Sequence, residues 1–314
     1  MLKEMLNATF LVTFLAASVR MAVPLALAGL GETFSELSGI LNIGVEGIML
    51  SGAFFSFLGS IVTGNAWIGM FTGALGGVLI SLIHGYLSNR LRADQTISGI
   101  ALNIFILGLT SFLFRVVAGT STTPPRCNTL PSFGFPLLGK VPIIGPIFFH
   151  QDILAYLTFL LIPVCWFIIH RTTWGLSMKA VGEHPKAADT VGLNVFSLRY
   201  KAVIVNGVLS GIGGAYLTLV QLGAFTENLT AGRGFIALAV VIFGKRNPFG
   251  VAIAALIFGA ADAFQFRLQA LGSTIPVQVL LMLPYIVTAL VLLGVVGRSE
   301  DPAALGKAYV RYTR

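Results

Sequence analysis

The stretch Trp67-Ile-Gly-Met-Phe-Thr-Gly-Ala-Leu-Gly-Gly-Val-Leu-Ile-Ser-Leu-Ile-His-Gly-Tyr-Leu-Ser88 contains no charged side chain. A helix needs about 20 mostly apolar residues to cross the hydrocarbon core of a bilayer, so this stretch predicts a membrane-spanning helix. Small residues recur along it every four positions, at Gly69, Gly73, Gly77, Ser81 and Gly85. That spacing is typical of a helix face against which another helix packs closely.

The composition of the whole chain agrees with a membrane protein. Of 314 residues, 56% are apolar and 10% are charged, and the mean hydropathy is +0.89. An average soluble domain has about 25% charged residues. These values exclude a soluble globule, a disordered chain and a nucleic-acid binder. The net charge of +8 is attributed to loops at the cytoplasmic surface, where membrane proteins collect Lys and Arg.

Nine apolar stretches are long enough, or nearly so, to be membrane spans. They cover residues 8–31, 40–60, 67–88, 95–116, 152–170, 201–222, 233–244, 248–267 and 276–297. The sequence therefore predicts an all-α polytopic membrane protein of about nine transmembrane helices, in a single domain over residues 1–314. The seventh stretch is short and is expected to be a partial or broken span. Arg20 interrupts the first stretch, so we expect no signal-peptide cleavage there.

The distribution of Lys and Arg predicts the orientation. With the C-terminus in the cytoplasm, thirteen of the 20 cations lie in cytoplasmic segments, four lie outside and three lie in or at the ends of spans. Nine spans then place the N-terminus outside. Residues 117–151 become a large external loop, residues 171–200 a cytoplasmic loop and residues 298–314 a cytoplasmic tail. The external loop is either a packed lid or a surface for an extracytoplasmic partner.

The cytoplasmic loop contains one short predicted helix. Within residues 182–192, Pro185 suits the first helical position and Gly192 suits the stop. A helix of two turns is unstable alone in water, so it must pack against the membrane domain or another protein. It is either a connector along the membrane surface or a docking element for a cytoplasmic partner.

The chain has no evident catalytic or metal site. None of its Gly-Lys pairs is followed by Ser or Thr, so there is no Walker A sequence. The four histidines have no second His or Cys at metal-ligand spacing. No nucleophile lies near a base within a span. Cys127 and Cys165 are expected to be free thiols. We therefore expect no enzyme activity, bound metal or cofactor in this chain.

A few polar residues lie on otherwise apolar stretches. Glu46 and Asp262 are the two acids predicted to lie deep in the bilayer. Asn42 and Glu46 share a face if their stretch is helical, or they lie at a helix break that builds a polar site. Alternatively, Glu46 pins a bend through backbone hydrogen bonds. The amide residues in spans either bind a substrate or join helices; they are Asn103, Asn206, Gln221, Gln265 and Gln269.

A second ladder of small residues occurs in the sixth stretch. Gly207, Gly211 and Ala215 follow one another at four-residue spacing, as the glycines of the third stretch do. Both ladders predict close helix packing, and we do not expect these glycines to contact a substrate.

Three motifs resemble the membrane subunits of ABC importers for branched-chain amino acids, ribose and nucleosides. Gly39–Phe54 (GILNIGVEGIMLSGAF) is similar to the signature of this permease family, and Ala180–Asn194 (AVGEHPKAADTVGLN) is similar to its cytoplasmic coupling helix. Gly259–Gln269 (GAADAFQFRLQ) resembles the nucleoside, or simple-sugar, branch. The resemblance extends from about residue 20 to 298.

The resemblance implies a bundle of the type II ABC importer kind and several partners. Such permeases work in pairs, and in the nucleoside branch the two subunits typically differ. A cytoplasmic ATPase, which binds the ATP and Mg, docks on the coupling helix, and an extracytoplasmic lipoprotein delivers the substrate. The coupling role maps onto Glu183, Pro185, Ala187, Ala188, Asp189 and Gly192.

These observations together predict the permease subunit of an ATP-driven nucleoside importer in a bacterial cytoplasmic membrane. The predicted translocation pathway contains Asn42, Glu46, Asn103, Asn206, Gln221 and Gln265. A simple-sugar importer subunit is the alternative within the family. A secondary transporter that needs no ATPase is the alternative outside it, although the scarcity of intramembrane acids argues against ion coupling.

Overall fold

The computed structural model describes residues 8–119, 125–134, 141, 144–270, 276–284, 286–287, 289 and 301–311. Its helices are α1 (Ala8–Leu37), α2 (Val45–Thr63), α3 (Ala66–Asn89), α4 (Gln95–Ala118), α5 (Ile144–Phe148), α6 (Ile153–Arg171), α7 (Thr173–Glu183), α8 (Pro185–Thr190), α9 (Val195–Tyr216), α10 (Arg233–Phe243), α11 (Pro248–Ala270) and α12 (Val277–Leu281). α9 continues as a π-helical turn, Leu217–Leu222. β1 (Ser132–Gly134) pairs antiparallel with β2 (His150–Asp152).

Seven of the described helices are long and apolar enough to cross a membrane: α1, α2, α3, α4, α6, α9 with its π-helical turn, and α11. The mostly helical, multi-span architecture is confirmed, and the count of nine is approximate. The seventh predicted stretch forms α10, which has only 11 residues. Much of the ninth, at 276–297, lies outside the described residues.

Polar side chains in the sequence set the starts of several helices. Asn65, Asp94, Asp152 and Asn194 each accept a hydrogen bond from a backbone N–H in the first turn of the helix that follows. Such caps satisfy amides that have no partner within the helix. They fix where α3, α4, α6 and α9 begin, and hence how the spans enter the bundle.

Helices α2, α3 and α9 cross in the middle of the bundle through glycine. A Cβ at Gly77 of α3 would overlap the Gly207 carbonyl of α9, and one at Gly211 would lie 2.7 Å from the Gly73 carbonyl oxygen. A Cβ at Gly69 would lie 2.7 Å from the Ser56 carbonyl oxygen of α2. At these crossings the backbones themselves are in contact.

The bundle has two distinct ends. The hairpin end carries β1, β2 and residues 125–134, and Gln151 Nε2 donates there to the Ala16 carbonyl near the start of α1, at 3.3 Å. The α8 end carries α7, α8 and residues 301–311, which we call the C-terminal segment. There the Ala304 amide donates to the Gly182 carbonyl at 2.9 Å. The start of α1 therefore lies at the hairpin end of the bundle, and the C-terminal segment lies at the α8 end.

Two loop expectations need correction. Residues 171–200 contain two whole helices, because an 11-residue helix, α7, precedes the predicted short one, and α9 already begins at Val195. Glu183 therefore ends α7 and does not belong to the short helix. Within the predicted external loop, the chain forms the β1–β2 ribbon and α5. Residues 120–124, 135–140 and 142–143 of that loop lie outside the described residues.

Candidate functional site

The helix break between α1 and α2 forms a turn, Ser38–Gly44, which we call the polar turn. Its backbone is bound by side chains from two neighbouring helices. Gln95 Oε1 accepts from the Leu41 amide at 2.8 Å, and a ring nitrogen of His84 lies 3.2 Å from the Leu41 carbonyl oxygen. Asn103 Nδ2 donates to the Ile43 carbonyl at 2.9 Å, and Asn103 Oδ1 accepts from the Gly47 amide at 2.7 Å. These groups of the non-helical backbone thus find their hydrogen-bond partners within the protein.

A buried carboxylate in α1 joins the polar turn to α9. Glu32 Oε1 accepts from the Asn42 amide at 2.9 Å, and Glu32 Oε2 accepts from Asn206 Nδ2 at 2.6 Å. Asn206 Oδ1 in turn accepts from the Ser210 hydroxyl at 2.8 Å. All four residues are buried. Asn42 and Asn206 were predicted from the sequence, whereas Glu32 was not, because it lies one residue beyond the predicted first span.

Glu46 caps the N-terminus of the short helix α10. Its Oε1 accepts from the Thr230 hydroxyl at 2.5 Å and from the Gly232 amide at 2.8 Å, and its Oε2 accepts from the Gly234 amide at 2.6 Å. A carboxylate at a helix N-terminus is stabilised by the free amides and by the helix dipole. Glu46 therefore binds backbone amides at the start of another helix, and its role in a translocation pathway stays a prediction.

The suggestion that Asn42 and Glu46 share a helix face is wrong. Asn42 precedes α2, and its Oδ1 accepts from the Gly44 amide at 3.0 Å, whereas Glu46 lies in the first turn of α2. The glycines break the helix here, as the alternative suggestion held. Asn42 and Glu46 consequently bind different parts of the protein.

The seventh crossing is broken. At the hairpin end, the Cys127 amide donates to the Gly223 carbonyl at 3.0 Å, and from there the chain runs without helix or strand to α10. α10 spans about 16 Å at 1.5 Å per residue and ends beside Arg246, at the α8 end. Asn228, Ala231 and Gly232 adopt φ values of +56°, +45° and +86°. We call residues 223–232 the irregular segment.

The irregular segment is held to the neighbouring spans by charged side chains. Glu227 accepts from Arg115 Nε and Nη2 of α4 at 2.8 and 3.1 Å. Arg233, at the start of α10, lies 3.9 Å from Asp262 of α11. Asp262 thus faces a cation on another helix. Arg267, five residues further along its own helix, instead stacks over the Phe10 ring.

A cavity of about 310 Å³ opens beside the irregular segment, between α4 and α10. Its polar lining comes from Glu46, Asn103 and Asn228, and Phe235 adds an exposed aromatic ring. It therefore brings together two of the six predicted pathway residues. Asn42 and Asn206 lie in the buried network next to it.

The remaining two predicted pathway residues lie elsewhere. Gln265 is buried on α11. Gln221 lines a separate cavity of about 560 Å³ at the hairpin end, where its Nε2 donates to the Arg20 carbonyl at 3.3 Å. Asp152 and Tyr216 also line this second cavity and are hydrogen-bonded to each other at 2.8 Å. No single site within the described residues contains all six.

A buried ion pair at the α8 end was not predicted. Arg246, in the turn after α10, donates to Glu36 Oε2 and to Asp301 Oδ1, each at 2.6 Å. Arg246 and Glu36 are almost fully buried, whereas the Asp301 side chain is 66% exposed. Arg246 therefore joins the turn after α10 to both α1 and the C-terminal segment.

The predicted coupling residues lie in α8 or within two residues of its ends. Pro185 is at the first helical position and Gly192, at φ +89°, follows the end of the helix, as expected. Ala187 is exposed and Ala188 is buried. Glu183 Oε2 accepts from the Ala303 amide at 3.2 Å, and Asp189 Oδ2 accepts from Arg311 Nε at 3.2 Å. Both carboxylates therefore bind the C-terminal segment.

The C-terminal segment packs as well as hydrogen-bonds against this region. Tyr309 lies with Val181, Ala188, Val195 and Leu198 in a small apolar cluster, and its ring contacts Phe196. Burial raises the pKa of the Tyr309 phenol, and its contact with Asp189 raises it further, so the phenol is neutral at pH 7. A cavity of about 680 Å³ remains between α8 and the segment.

The described residues contain no group of three or more His, Cys, Asp or Glu side chains that could hold a metal ion. Cys127 and Cys165 are both free and buried. The polar groups of the site bind backbone and one another, an arrangement that positions helices.

Comparisons with known proteins identify the family. Residues 14–296 match the family described as branched-chain amino acid transport system / permease component. The guanosine ABC transporter permease protein NupQ of Bacillus subtilis is 40% identical, over 95% of this chain and 96% of its own length. The nucleoside ABC transporter permease protein NupC of Lactococcus lactis is 37% identical, over 92% and 94%.

A relative with a sugar in its name is about equally similar. The putative glucose ABC transporter permease protein TsgC13 of Haloferax volcanii is 37% identical, over 96% of this chain and 99% of its own length. The match to the family and the full-length relatives confirm the resemblance found in the sequence. The chain is a multi-pass membrane protein and belongs to the branched-chain amino acid transport permease family.

Proposed function

We propose that this chain forms one half of the translocation pathway of a nucleoside importer, driven by ATP hydrolysis in a partner subunit. The pathway runs along the face formed by α4, the irregular segment and α10. The observation that carries this proposal is that exposed residues of the irregular segment, which forms neither helix nor strand, interrupt a membrane crossing.

Lipid cannot cover this face. Glu227, Asn228 and Ala231 are exposed, and their backbone belongs to no helix or strand. Irregular backbone at membrane depth is tolerated only where protein buries it or where it lines a water-filled cavity. A second permease subunit opposite this face satisfies both conditions, because it encloses the cavity between the two chains. The family resemblance supports a homologous, non-identical partner.

The α8 end is the proposed docking site of the ATPase. Lys186, Ala187 and Val191 are exposed there, next to the 680 Å³ cavity. The excess of Lys and Arg at this end supports a cytoplasmic location and hence a cytoplasmic C-terminus. The hairpin end is then extracytoplasmic and faces the substrate-binding lipoprotein. The membrane is the cytoplasmic membrane of a bacterium.

Nucleosides are the favoured substrates because two of the full-length relatives carry guanosine or nucleoside in their names. A sugar is the second candidate, favoured by the relative named for glucose. The exposed Asn228 offers both classes an amide group for hydroxyls, and Phe235 offers a base an aromatic face.

Thiol labelling of the assembled complex tests the pathway. Phe235→Cys lies at the cavity, and Leu79→Cys is a matched control because Leu79 is an exposed apolar residue on α3. We expect a membrane-impermeant maleimide to label Phe235→Cys, guanosine to protect it, and Leu79→Cys to stay unlabelled. Equal labelling of the two variants would refute the pathway. Protection by glucose and not by guanosine would instead establish the sugar importer.

Co-purification tests the partners. A mild-detergent pull-down of the tagged chain should recover an ATPase and a second permease, identified by mass spectrometry. Recovery of the chain alone, together with uptake into liposomes without ATP, would contradict the ATP-driven function.

A further inference from the structure

Arg199 on α9 is a fully buried arginine whose hydrogen bonds go to carbonyl groups. It is 0% exposed. Its Nε donates to the Ser38 carbonyl at 3.2 Å, its Nη1 donates to the Lys307 carbonyl at 3.2 Å, and its Nη2 has no hydrogen-bond partner among the described residues. No carboxylate of the described residues forms an ion pair with it. Burying a charged guanidinium without a carboxylate partner is costly, so its stability in this position depends on each carbonyl that accepts a hydrogen bond from it.

The two carbonyls belong to two different functional parts. Ser38 begins the polar turn, and Lys307 is in the C-terminal segment. The two parts also contact each other directly, because the Gly306 amide donates to the Gly39 carbonyl at 3.2 Å. Gly39 has φ +88°, and a Cβ there would lie 2.9 Å from Arg199 Nη2 and 3.2 Å from the Ala304 carbonyl oxygen. Only glycine lets the turn approach this closely.

The other edge of the C-terminal segment is attached to the proposed coupling elements. The Ala304 amide donates to Gly182 at the end of α7, and Arg311 pairs with Asp189 of α8. The segment therefore lies between α8 and the polar turn, with Arg199 bonded to its middle. A displacement of α8 that carried the segment away would remove an acceptor from a buried charge.

We propose that Arg199 and the C-terminal segment form a clasp that makes α8 and the polar turn move as one body. Arg199 is a positioning residue in this clasp. Because the polar turn leads directly into α2 and Glu46, the clasp carries motion from α8 toward the half helix α10. The transport role of this motion rests on the proposed function, whereas the clasp itself is a property of the single chain.

Hydrogen exchange on the purified chain tests the clasp without any partner. In Arg199→Met, which keeps the apolar stem but has no donor, we expect the amides of residues 303–307 and of the polar turn to exchange at least tenfold faster together. Arg199→Lys retains a cationic donor and should give an intermediate rate. If Arg199→Met exchanges like the wild type, or loosens only one of the two parts, the clasp is refuted.

Charge reversal tests the contact between the C-terminal segment and α8, which is the ion pair of Arg311 with Asp189. Neither residue is buried. Asp189→Arg and Arg311→Asp should each speed exchange in residues 303–311, and the double variant should restore protection. Failure of the double variant to restore protection would overturn the assignment of Arg311 and Asp189 to the clasp. Binding of an ATPase to α8 does not enter this measurement, so its result is independent of the proposed function.

The assembled complex in proteoliposomes tests what the clasp does. In Arg199→Met, we expect substrate imported per ATP hydrolysed to fall at least fivefold while the ATPase rate stays within twofold. Arg199→Lys should recover part of the ratio. A merely structural defect would lower import and hydrolysis in proportion, and that outcome would overturn the coupling role. If the ATPase does not assemble even with the wild type, the proposed function fails, and the exchange experiments still decide the clasp.

Discussion

Asn206 Nδ2 of α9 donates to Glu32 Oε2 of α1 at 2.6 Å, deep inside the bundle. The other oxygen of Glu32 binds the Asn42 amide of the polar turn. One carboxylate thus fixes three parts of the chain relative to one another, and it makes no contact with the cavity beside the irregular segment.

Glu32→Ala should therefore destabilise the protein strongly. It leaves the Asn42 amide and the Asn206 side chain without an acceptor, and each orphaned buried group costs about 1–3 kcal/mol. Scanning fluorimetry in detergent should show a large fall in melting temperature. Ser210→Ala, which removes one neighbouring hydroxyl, is the matched control. If the two variants melted at the same temperature, Glu32 would not organise the network.

Gly77→Ala should disrupt the crossing of α3 and α9. A Cβ there would overlap the Gly207 carbonyl, and backbone cannot move aside as a side chain can. We expect a large loss of folded protein, measured by size-exclusion chromatography. The control is Gly108→Ala on α4, where a Cβ would meet nothing within 4 Å. Gly108→Ala should be neutral or slightly stabilising, and a similar loss in both would contradict the packing argument.

Arg246→Met should cost far more free energy of unfolding than Asp301→Asn, although both remove a charge from a 2.6 Å contact of the same guanidinium. Removing Arg246 leaves the buried Glu36 unpaired, and breaking a buried pair costs about 3–5 kcal/mol. Asp301 is largely exposed, so losing its charge should cost about 0–1 kcal/mol. Denaturation followed by tryptophan fluorescence in detergent would compare them, and equal losses would show that burial does not decide the difference.

The two native cysteines should react slowly with maleimide at pH 7. Both are buried, and burial raises the pKa of the Cys127 thiol, which keeps it protonated. Thiolate is the reactive form, so labelling of Cys127 should increase as the pH rises toward that pKa. Mass spectrometry of native and denatured protein would measure it, and rapid labelling of native protein would contradict the buried position.

The spans could be predicted because a membrane helix is specified locally, by length and hydropathy. The start of α2 could not be predicted from the local sequence. Its predicted span began at residue 40, but tertiary bonds from Glu32, Gln95 and Asn103 hold residues 38–44 out of the helix. The residues of the turn do not indicate which distant side chains will bind its backbone.

The buried charges were missed for a related reason. Arg246 follows a lysine after a short apolar stretch, and such a pair indicates a cytoplasmic loop. Its partner, Glu36, is 210 residues earlier in the chain. Likewise, Glu183 and Asp189 were assigned to coupling from the motif alone, and their bonds to residues of the C-terminal segment arise only in the folded chain. One available signal was the presence of two acids, Glu32 and Glu36, one turn apart just after an apolar run.

The broken seventh crossing also constrains how the protein is made. An 11-residue helix preceded by a polar, irregular segment is too short to enter a bilayer as an independent unit. Its N-terminal amides find their acceptor on Glu46, which the ribosome has synthesised nearly 190 residues earlier. We therefore expect residues 223–243 to settle into the membrane only after α2 is in place, with the first half of the chain serving as the scaffold on which the second half completes its insertion.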